Sequence, residues 1–138
     1  MNLKKALLAV VAAFVVIFAT EFVIHHVWLS PIYKAHESWW RPEAEMQSLM
    51  GFMFLAQVSL AALLTLIYSK GYEAGKGGLI QGFRFGVLMG LLLMLPSSLM
   101  HFVVYPYPFS LISNWLMGGV IEITLAGMVI GALYKPST

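Results

Sequence analysis

The sequence predicts an all-α integral membrane protein, a four-transmembrane-helix bundle that forms a single domain over residues 1–138. The first reason is composition: 60% of the side chains are hydrophobic and only 10% are charged, which lies outside the range of water-soluble domains. The second is that four apolar stretches, about 6–29, 46–68, 79–104 and 111–134, each approach the roughly twenty residues that span a bilayer. Helices are expected because lipid cannot hydrogen-bond an open backbone, and strict strand-like alternation is absent.

The first predicted helix, 6–29, carries ionisable side chains near its C-terminal end, in the stretch TEFVIHHVWLSP (20–31). We interpret it as a transmembrane helix rather than a signal peptide, because the apolar run is too long for a signal h-region and no convincing cleavage site follows. Glu21 and His25 are four residues apart, so they can hydrogen-bond on one helix face and lower the cost of either group in lipid. Trp28 falls on the same side, whereas His26 points away.

Aromatic residues are concentrated in and beside the segment between the first and second helices, SPIYKAHESWWRPEAE (30–45). Tryptophan and tyrosine settle at the headgroup level of a bilayer. We therefore interpret Trp28, Tyr33, Trp39 and Trp40 as interfacial anchors.

The stretch HVWLSPIYKAHESW, residues 26–39, carries a family resemblance. It resembles the W-Y-G-P-L-F-G-K-x-W segment at the end of helix one in small bacterial four-helix inner-membrane proteins of unknown function. The spacing of Trp28, Pro31, Tyr33 and Lys34 carries the match. The resemblance implies a bacterial inner-membrane setting and assigns no activity.

The third predicted helix has the clearest packing signal, because glycine recurs there every four residues. The residues of this stripe are Gly78, Gly82, Gly86 and Gly90. A face without side chains lets a neighbouring helix approach closely. At about 100° per residue, Ser97 and His101 extend the same face, so we expect His101 to lie on the packed side.

A weak internal similarity offers a further interpretation, a tandem duplication of a two-helix hairpin. SLMGFMF (48–54) resembles WLMGGVI (115–121), and IHHV (24–27) resembles MHFV (100–103). His25 and His101 would then be symmetry mates.

The lysines and arginines predict the orientation of the helices, since cationic residues in short loops stay on the cytoplasmic side. One side of the four-helix path carries Lys4, Lys5, Lys70, Lys76, Arg84 and Lys135. The other side carries only Lys34 and Arg41, with Glu37, Glu43 and Glu45 to offset them. The sequence therefore predicts a multi-pass inner (plasma) membrane protein with both termini cytoplasmic.

A rise of about 1.5 Å per residue lets the depth of each polar side chain be compared. Glu21, Gln57 of the second helix and Glu122 of the fourth share one layer, and His25 and His101 lie farther out. The sequence predicts that these five residues form a buried polar cluster in the outer half of the bundle.

Several uses suit a cluster of carboxylates and imidazoles in a membrane. The cluster can link the helices by hydrogen bonds, or it can bind a proton or a small ligand with Glu122 as the titrating group. The alternative is a metal site or a haem held by His25 and His101, because imidazole and carboxylate ligands suit zinc or iron and a pair of imidazoles suits haem iron. The cofactor stays open at this point.

Catalysis is the weaker function class. The sequence has no cysteine, no phosphate-binding glycine loop and no serine-centred elbow. The net charge of +2 reflects the sorting of Lys and Arg to one side and gives no basic patch for nucleic acid. The expected partner is the lipid bilayer, and a homo-oligomer or a larger membrane complex stays open.

Overall fold

The computed structural model describes residues 2–136, so Met1, Ser137 and Thr138, at the ends of the predicted domain, lie outside the described part. The described chain is all-helical, with no strand between residues 2 and 136. Four helices are long and apolar enough to cross a membrane: Leu3–Trp28, Met50–Lys70, Gly78–Val104 and Phe109–Leu133. The prediction of four long apolar helices is confirmed, with small shifts at the helix ends.

The elements are, in chain order, α1 Leu3–Phe22 with a π-helical continuation Val23–Trp28, α2 Ser30–Ala35, a 3₁₀ turn Glu37–Trp39, α3 Glu43–Ser48, α4 Met50–Lys70, α5 Gly78–Val104 and α6 Phe109–Leu133. The connection from residue 30 to 45 is therefore largely helical rather than an open loop. Pro31 lies in the first turn of α2 and Pro42 precedes α3, which are positions where proline favours a helix start.

The central helix of the bundle is α6, which packs against α5, α1 and α4. Helix α1 also packs against α4, whereas α5 packs chiefly against α6. The two sequential hairpins are thus packed differently, since the α5–α6 pair is much more extensive than the α1–α4 pair. The duplication stays a prediction.

The main apolar core occupies the half of the bundle that holds the N-terminus. Helix α1 contributes residues three or four apart, Ala6, Ala9, Ala13 and Ile17, all of them buried. They pack with buried residues of the other helices, Ala61, Leu64 and Tyr68 from α4, and Ile123, Ala126 and Ile130 from α6. Small side chains on α1 allow close helix approach in this half.

The glycine stripe of α5 lies directly against the backbone of α6. A Cβ added at Gly78 would lie 2.1 Å from the carbonyl oxygen of Gly131, and one added at Gly82 would lie 2.2 Å from that of Gly127. A Cβ at Gly86 would lie 2.6 Å from the Cα of Thr124. The two helices therefore meet backbone to backbone, and this contact fixes the position of α5 relative to Glu122 of α6.

Both ends of the described chain lie at the same end of the bundle. Asn2, Lys5, Lys135 and Pro136 line one surface cavity together with the α4–α5 connection at 72–75. An even number of long helices requires this arrangement if each one crosses the same layer.

Candidate functional site

A cavity of about 230 Å³ lies between α1, α5 and α6, in the half of the bundle away from the chain ends. We call it the carboxylate cavity. It is lined by Glu21, Ile24, His25, Met94, Ser97, Ser98, His101, Trp115, Gly119 and Glu122. Three helices thus bring Glu21, His25, His101 and Glu122 of the predicted cluster to one space, while Gln57 of α4 lies elsewhere.

Glu122 is the most enclosed ionisable side chain of the cavity, at 4% exposure. Its carboxylate oxygen Oε2 lies 2.9 Å from the hydroxyl of Thr20 on α1. The same hydroxyl lies 2.8 Å from the carbonyl oxygen of Val16 and 3.0 Å from that of Ile17. A threonine hydroxyl has one proton, so it cannot donate to all of these acceptors at once.

The Glu21 side chain, in contrast, has a histidine as its partner. His25 Nε2 lies 3.2 Å from Glu21 Oε2, as the spacing of four residues predicts. His25 Nδ1 lies 2.6 Å from the phenolic oxygen of Tyr33 in α2. Both ring nitrogens of His25 therefore have protein partners.

One directed chain of hydrogen bonds can run through His25. An indole N–H can only donate, and Trp115 Nε1 lies 2.8 Å from the Tyr33 phenolic oxygen. When the phenol proton points to His25 Nδ1, a neutral imidazole carries its own proton on Nε2 and can donate it to Glu21. The chain runs Trp115, Tyr33, His25, Glu21, and it leaves Glu122 as the carboxyl without such a donor.

The state of the Tyr33 phenol supports this direction. Burial raises the pKa of Tyr33, an effect that the hydrogen bond from Trp115 opposes and the negative charge of Glu21 reinforces. The phenol therefore keeps its proton at neutral pH and acts as a donor.

The end of α1 departs from α-helical geometry where the two histidines lie. The amide of Leu29 donates to the carbonyl of Ile24, five residues back, at 2.8 Å, so Val23–Trp28 forms a π-helical turn. A π turn holds more residues than an α turn, and the side chains that follow are rotated from their α-helical positions. Such turns occur frequently at functional sites.

The aromatic residues that were interpreted as interfacial anchors mostly pack on one another above the cavity. Trp40 lies 5.2 Å from the ring of Tyr33 and 6.3 Å from that of Trp115, measured between ring centroids. Its indole N–H also donates to the carbonyl of Tyr33 at 3.2 Å. Trp39 and Trp40 both contact Tyr107 of the α5–α6 connection. Trp28 instead lies beside Gly118 of α6, where an added Cβ would come 3.5 Å from its ring, and it is 41% exposed. The packing of Trp40 and Trp115 around Tyr33 holds the Tyr33 ring next to His25.

The remaining two predicted cluster residues lie at the edge of this site or outside it. His101 is exposed at the cavity margin, with its ring 6.3 Å from that of Trp115 and 5.5 Å from that of Tyr105. Gln57 lines a different cavity, between α1 and α4. The prediction grouped these residues because they lie at similar depths, but the packing of the helices separates Gln57 from the others.

The metal and haem alternatives meet a specific obstacle in this geometry. Among residues 2–136, no group of three or more His, Asp or Glu side chains is placed to hold a metal ion. A bond from His25 to a metal or to haem iron would also require the loss of its contact with Tyr33 or Glu21.

Some residues of the site have no counterpart in the sequence prediction. Thr20, Tyr33 as a donor and Trp115 all contact the cluster residues or line their cavity. Thr20 is next to Glu21 in the sequence, so a comparison of predicted depths could have paired it with Glu122. The pairing of Trp115 with Tyr33 joins residues 82 positions apart, and no local pattern signals it.

Comparison with models of known protein families, with curated proteins and with solved structures finds no match for this chain.

Proposed function

We propose that this chain is a multi-pass membrane protein that binds a small primary ammonium compound at Glu122, in competition with a proton. The observation that carries the proposal is the isolation of Glu122. It is buried, it lines a cavity, and within residues 2–136 it forms no ion pair with a lysine, arginine or histidine. A carboxylate in apolar surroundings without a compensating charge is costly, so the site takes up a proton or another cation.

When the cavity holds no cation, the contacts of Glu122 suit a protonated carboxyl group. A protonated carboxyl can donate to the Thr20 hydroxyl, which in turn donates to the carbonyl of Val16. The carboxyl proton and the Thr20 hydroxyl proton then each have an acceptor. A bound cation would replace this proton, and the Thr20 hydroxyl would then donate to the ionised carboxylate.

A primary ammonium group fits the remaining lining of the cavity. It carries three N–H donors, and the cavity offers the carboxylate of Glu122 and the hydroxyl oxygens of Ser97 and Ser98 as acceptors. The ring of Trp115 adds a surface to which cations are attracted. The carboxyl group of Glu21 also lines the cavity and adds oxygen acceptors for an ammonium group.

We also propose that the membrane is a bacterial inner membrane and that both termini are cytoplasmic. The bilayer itself is proposed as the main partner, since the long apolar helices expose most of their outward side chains. The chain ends and the α4–α5 connection, which lie at one end of the bundle, carry most of the lysines. Cationic residues in short loops favour the cytoplasmic side.

Reporter fusions test this orientation. A reporter that is active only in the periplasm should be active when joined after Ala44 and inactive when joined after Lys76, because these positions lie on opposite sides of α4. A reporter active only in the cytoplasm, fused at the same two positions, is the matched control and should give the reverse pattern. If the periplasmic reporter is active only after Lys76, the orientation is inverted.

Calorimetric titration of the purified protein in mild detergent tests the proposed ligand. n-Butylammonium is the probe and n-butanol is its uncharged control of similar shape. We expect butylammonium to bind and butanol not to bind. We also expect the affinity for butylammonium to fall as the pH falls, by up to about tenfold per pH unit, because one proton competes for the same carboxylate.

The pH dependence has a defined sign. Alkylammonium groups remain charged across neutral pH, since their pKa resembles that of lysine, near about 10.4. Weaker binding at lower pH therefore reports protonation of the protein and not of the probe. Equal binding of butanol, or an affinity for butylammonium that is independent of pH, would contradict the proposal.

A further inference from the structure

An open cleft of about 490 Å³ lies between the C-terminal end of α4 and the first half of α5. The α4–α5 connection forms one of its walls, so the cleft lies at the end of the bundle that holds both chain ends. The rings of Tyr68 and Phe85 meet there, with their centroids 5.3 Å apart. Arg84 is the cationic residue of the lining, and we call this space the arginine cleft.

The α4–α5 connection is held against α5 by hydrogen bonds, which give the cleft a defined wall. Gln81 is buried, and its amide nitrogen donates to the carbonyl of Glu73 at 2.7 Å. Its amide oxygen accepts from the backbone amide of Glu73 at 3.0 Å. The carboxylate of Glu73 is half exposed and forms an ion pair with Lys76. The acidic residue of the lining is therefore already compensated by a cation.

Arg84 carries the charge that is left uncompensated at this cleft. Its side chain is exposed, and within residues 2–136 it forms no ion pair. Glu73, Lys76 and Arg84 together therefore leave one positive charge. A guanidinium group presents its N–H donors in a planar fork that matches the oxygens of a phosphate, often through two parallel hydrogen bonds. The cleft thus offers a binding group for an anion.

The position of Arg84 along α5 corresponds to the level of the lipid headgroups. The 27 residues of α5 span about 40 Å, which exceeds the roughly 30 Å of a hydrocarbon core, so its first turns extend among the headgroups. Arg84 lies about 9 Å from the start of α5, and its flexible stem can carry the guanidinium back toward the headgroups. Leu88 and Leu91 lie one and two turns deeper, line the same cleft and are exposed.

We propose that the arginine cleft binds an anionic phospholipid, with its phosphate at Arg84 and one acyl chain along Leu88 and Leu91. A cation at headgroup level with apolar side chains deeper in the membrane matches the order of groups in a phospholipid. An anionic headgroup is favoured over a zwitterionic one because this end of the bundle carries most of the lysines, and basic pockets between transmembrane helices bind anionic headgroups. This inference is independent of the cation proposed at Glu122, since the arginine cleft and the carboxylate cavity share no lining residue.

Native mass spectrometry of the full chain in mild detergent tests the inference. The protein is mixed with equal amounts of phosphatidylglycerol and phosphatidylcholine that carry the same acyl chains, and the two complexes with a single bound lipid are compared. Phosphatidylcholine has the same phosphate group but no net charge. We expect phosphatidylglycerol to be preferred by about fivefold, the factor that one basic residue contributes to the binding of an anionic lipid.

Arg84→Gln is the decisive variant, and Lys135→Gln is its matched control. Each substitution removes one positive charge at the same end of the bundle, but Lys135 lies outside the lining of the arginine cleft. Both side chains are exposed, so both variants should keep the melting temperature of the parent. The preference for phosphatidylglycerol should disappear in Arg84→Gln and stay near its parent value in Lys135→Gln.

A soluble headgroup tests whether the acyl chain belongs to the site. Glycerophosphoglycerol is the headgroup of phosphatidylglycerol without acyl chains. Added in excess over the lipid, it should not displace bound phosphatidylglycerol, because it has no apolar part to lie along Leu88 and Leu91.

Three results would overturn the inference. The first is equal binding of the two lipids to the parent protein. The second is a preference that survives in Arg84→Gln or is lost equally in Lys135→Gln, since the cleft would then not be its source. The third is displacement of the lipid by glycerophosphoglycerol, which would identify a site for a soluble phosphodiester.

Discussion

Replacing Gly82 with alanine is expected to lower the free energy of unfolding by about 1–3 kcal/mol or more, the range for overpacking a tight contact. The added Cβ would lie 2.2 Å from the carbonyl oxygen of Gly127 and 2.9 Å from the Cα of Met128. Both atoms belong to the backbone of α6, so neither can rotate away. The helices must separate, and the close contact that holds α5 in the bundle is lost. Unfolding in detergent, followed by circular dichroism, measures the change.

Other glycines provide a graded comparison. Gly51→Ala in α4 is the matched control, because no heavy atom lies within 4 Å of its added Cβ. It should be neutral or stabilising by up to about 1 kcal/mol, since alanine favours a helix over glycine. Gly90→Ala should cost less than Gly82→Ala, because its nearest backbone neighbour, the Cα of Val120, lies 3.0 Å away. Equal stability of the Gly82 and Gly51 variants would mean that the stripe is not a tight interface.

Glu122→Gln is expected to weaken the binding of n-butylammonium by about 10- to 100-fold while leaving the stability of the protein nearly unchanged. A hydrogen bond to a charged group contributes roughly 1.5–3 kcal/mol, which sets the size of the loss. The amide matches a protonated carboxyl in shape and can still pair with Thr20, so the α1–α6 contact survives. Parallel titration calorimetry and thermal unfolding separate the two effects.

Glu43→Gln is the matched control, since it removes a carboxylate of the exposed α3 segment, away from the cavity. It should leave butylammonium binding unchanged. A Glu122→Gln variant that loses stability as well as binding would identify Glu122 as a structural link between helices. A variant that binds butylammonium as the parent does would place the cation elsewhere.

Much of the fold could be predicted from the sequence because the bilayer imposes simple requirements on a chain. Each crossing segment must be apolar for about twenty residues, and its backbone must be hydrogen-bonded internally. The four long helices follow from these requirements. The glycines at 78, 82, 86 and 90 share one helix face by the period of the helix alone, and that face is the one in contact with α6. The Glu21–His25 pair is likewise local, since four residues span one turn.

Which residues form the candidate site depends on which helices are neighbours. The predicted depth of a residue in the membrane does not show which helices are neighbours. Gln57 shares a predicted layer with Glu21 and Glu122, yet it lines a separate cleft between α1 and α4 and not the carboxylate cavity. The position of Tyr33 over the cavity also depends on a contact between distant residues, the hydrogen bond from the Trp115 indole to the Tyr33 phenol. The sequence by itself determined the spanning segments and the faces of single helices, because both follow from local periodicity and hydrophobicity. Only the tertiary structure decided that His25 also contacts Tyr33, and that Glu122 forms no ion pair with a residue between 2 and 136, because both outcomes depend on the order in which the helices pack.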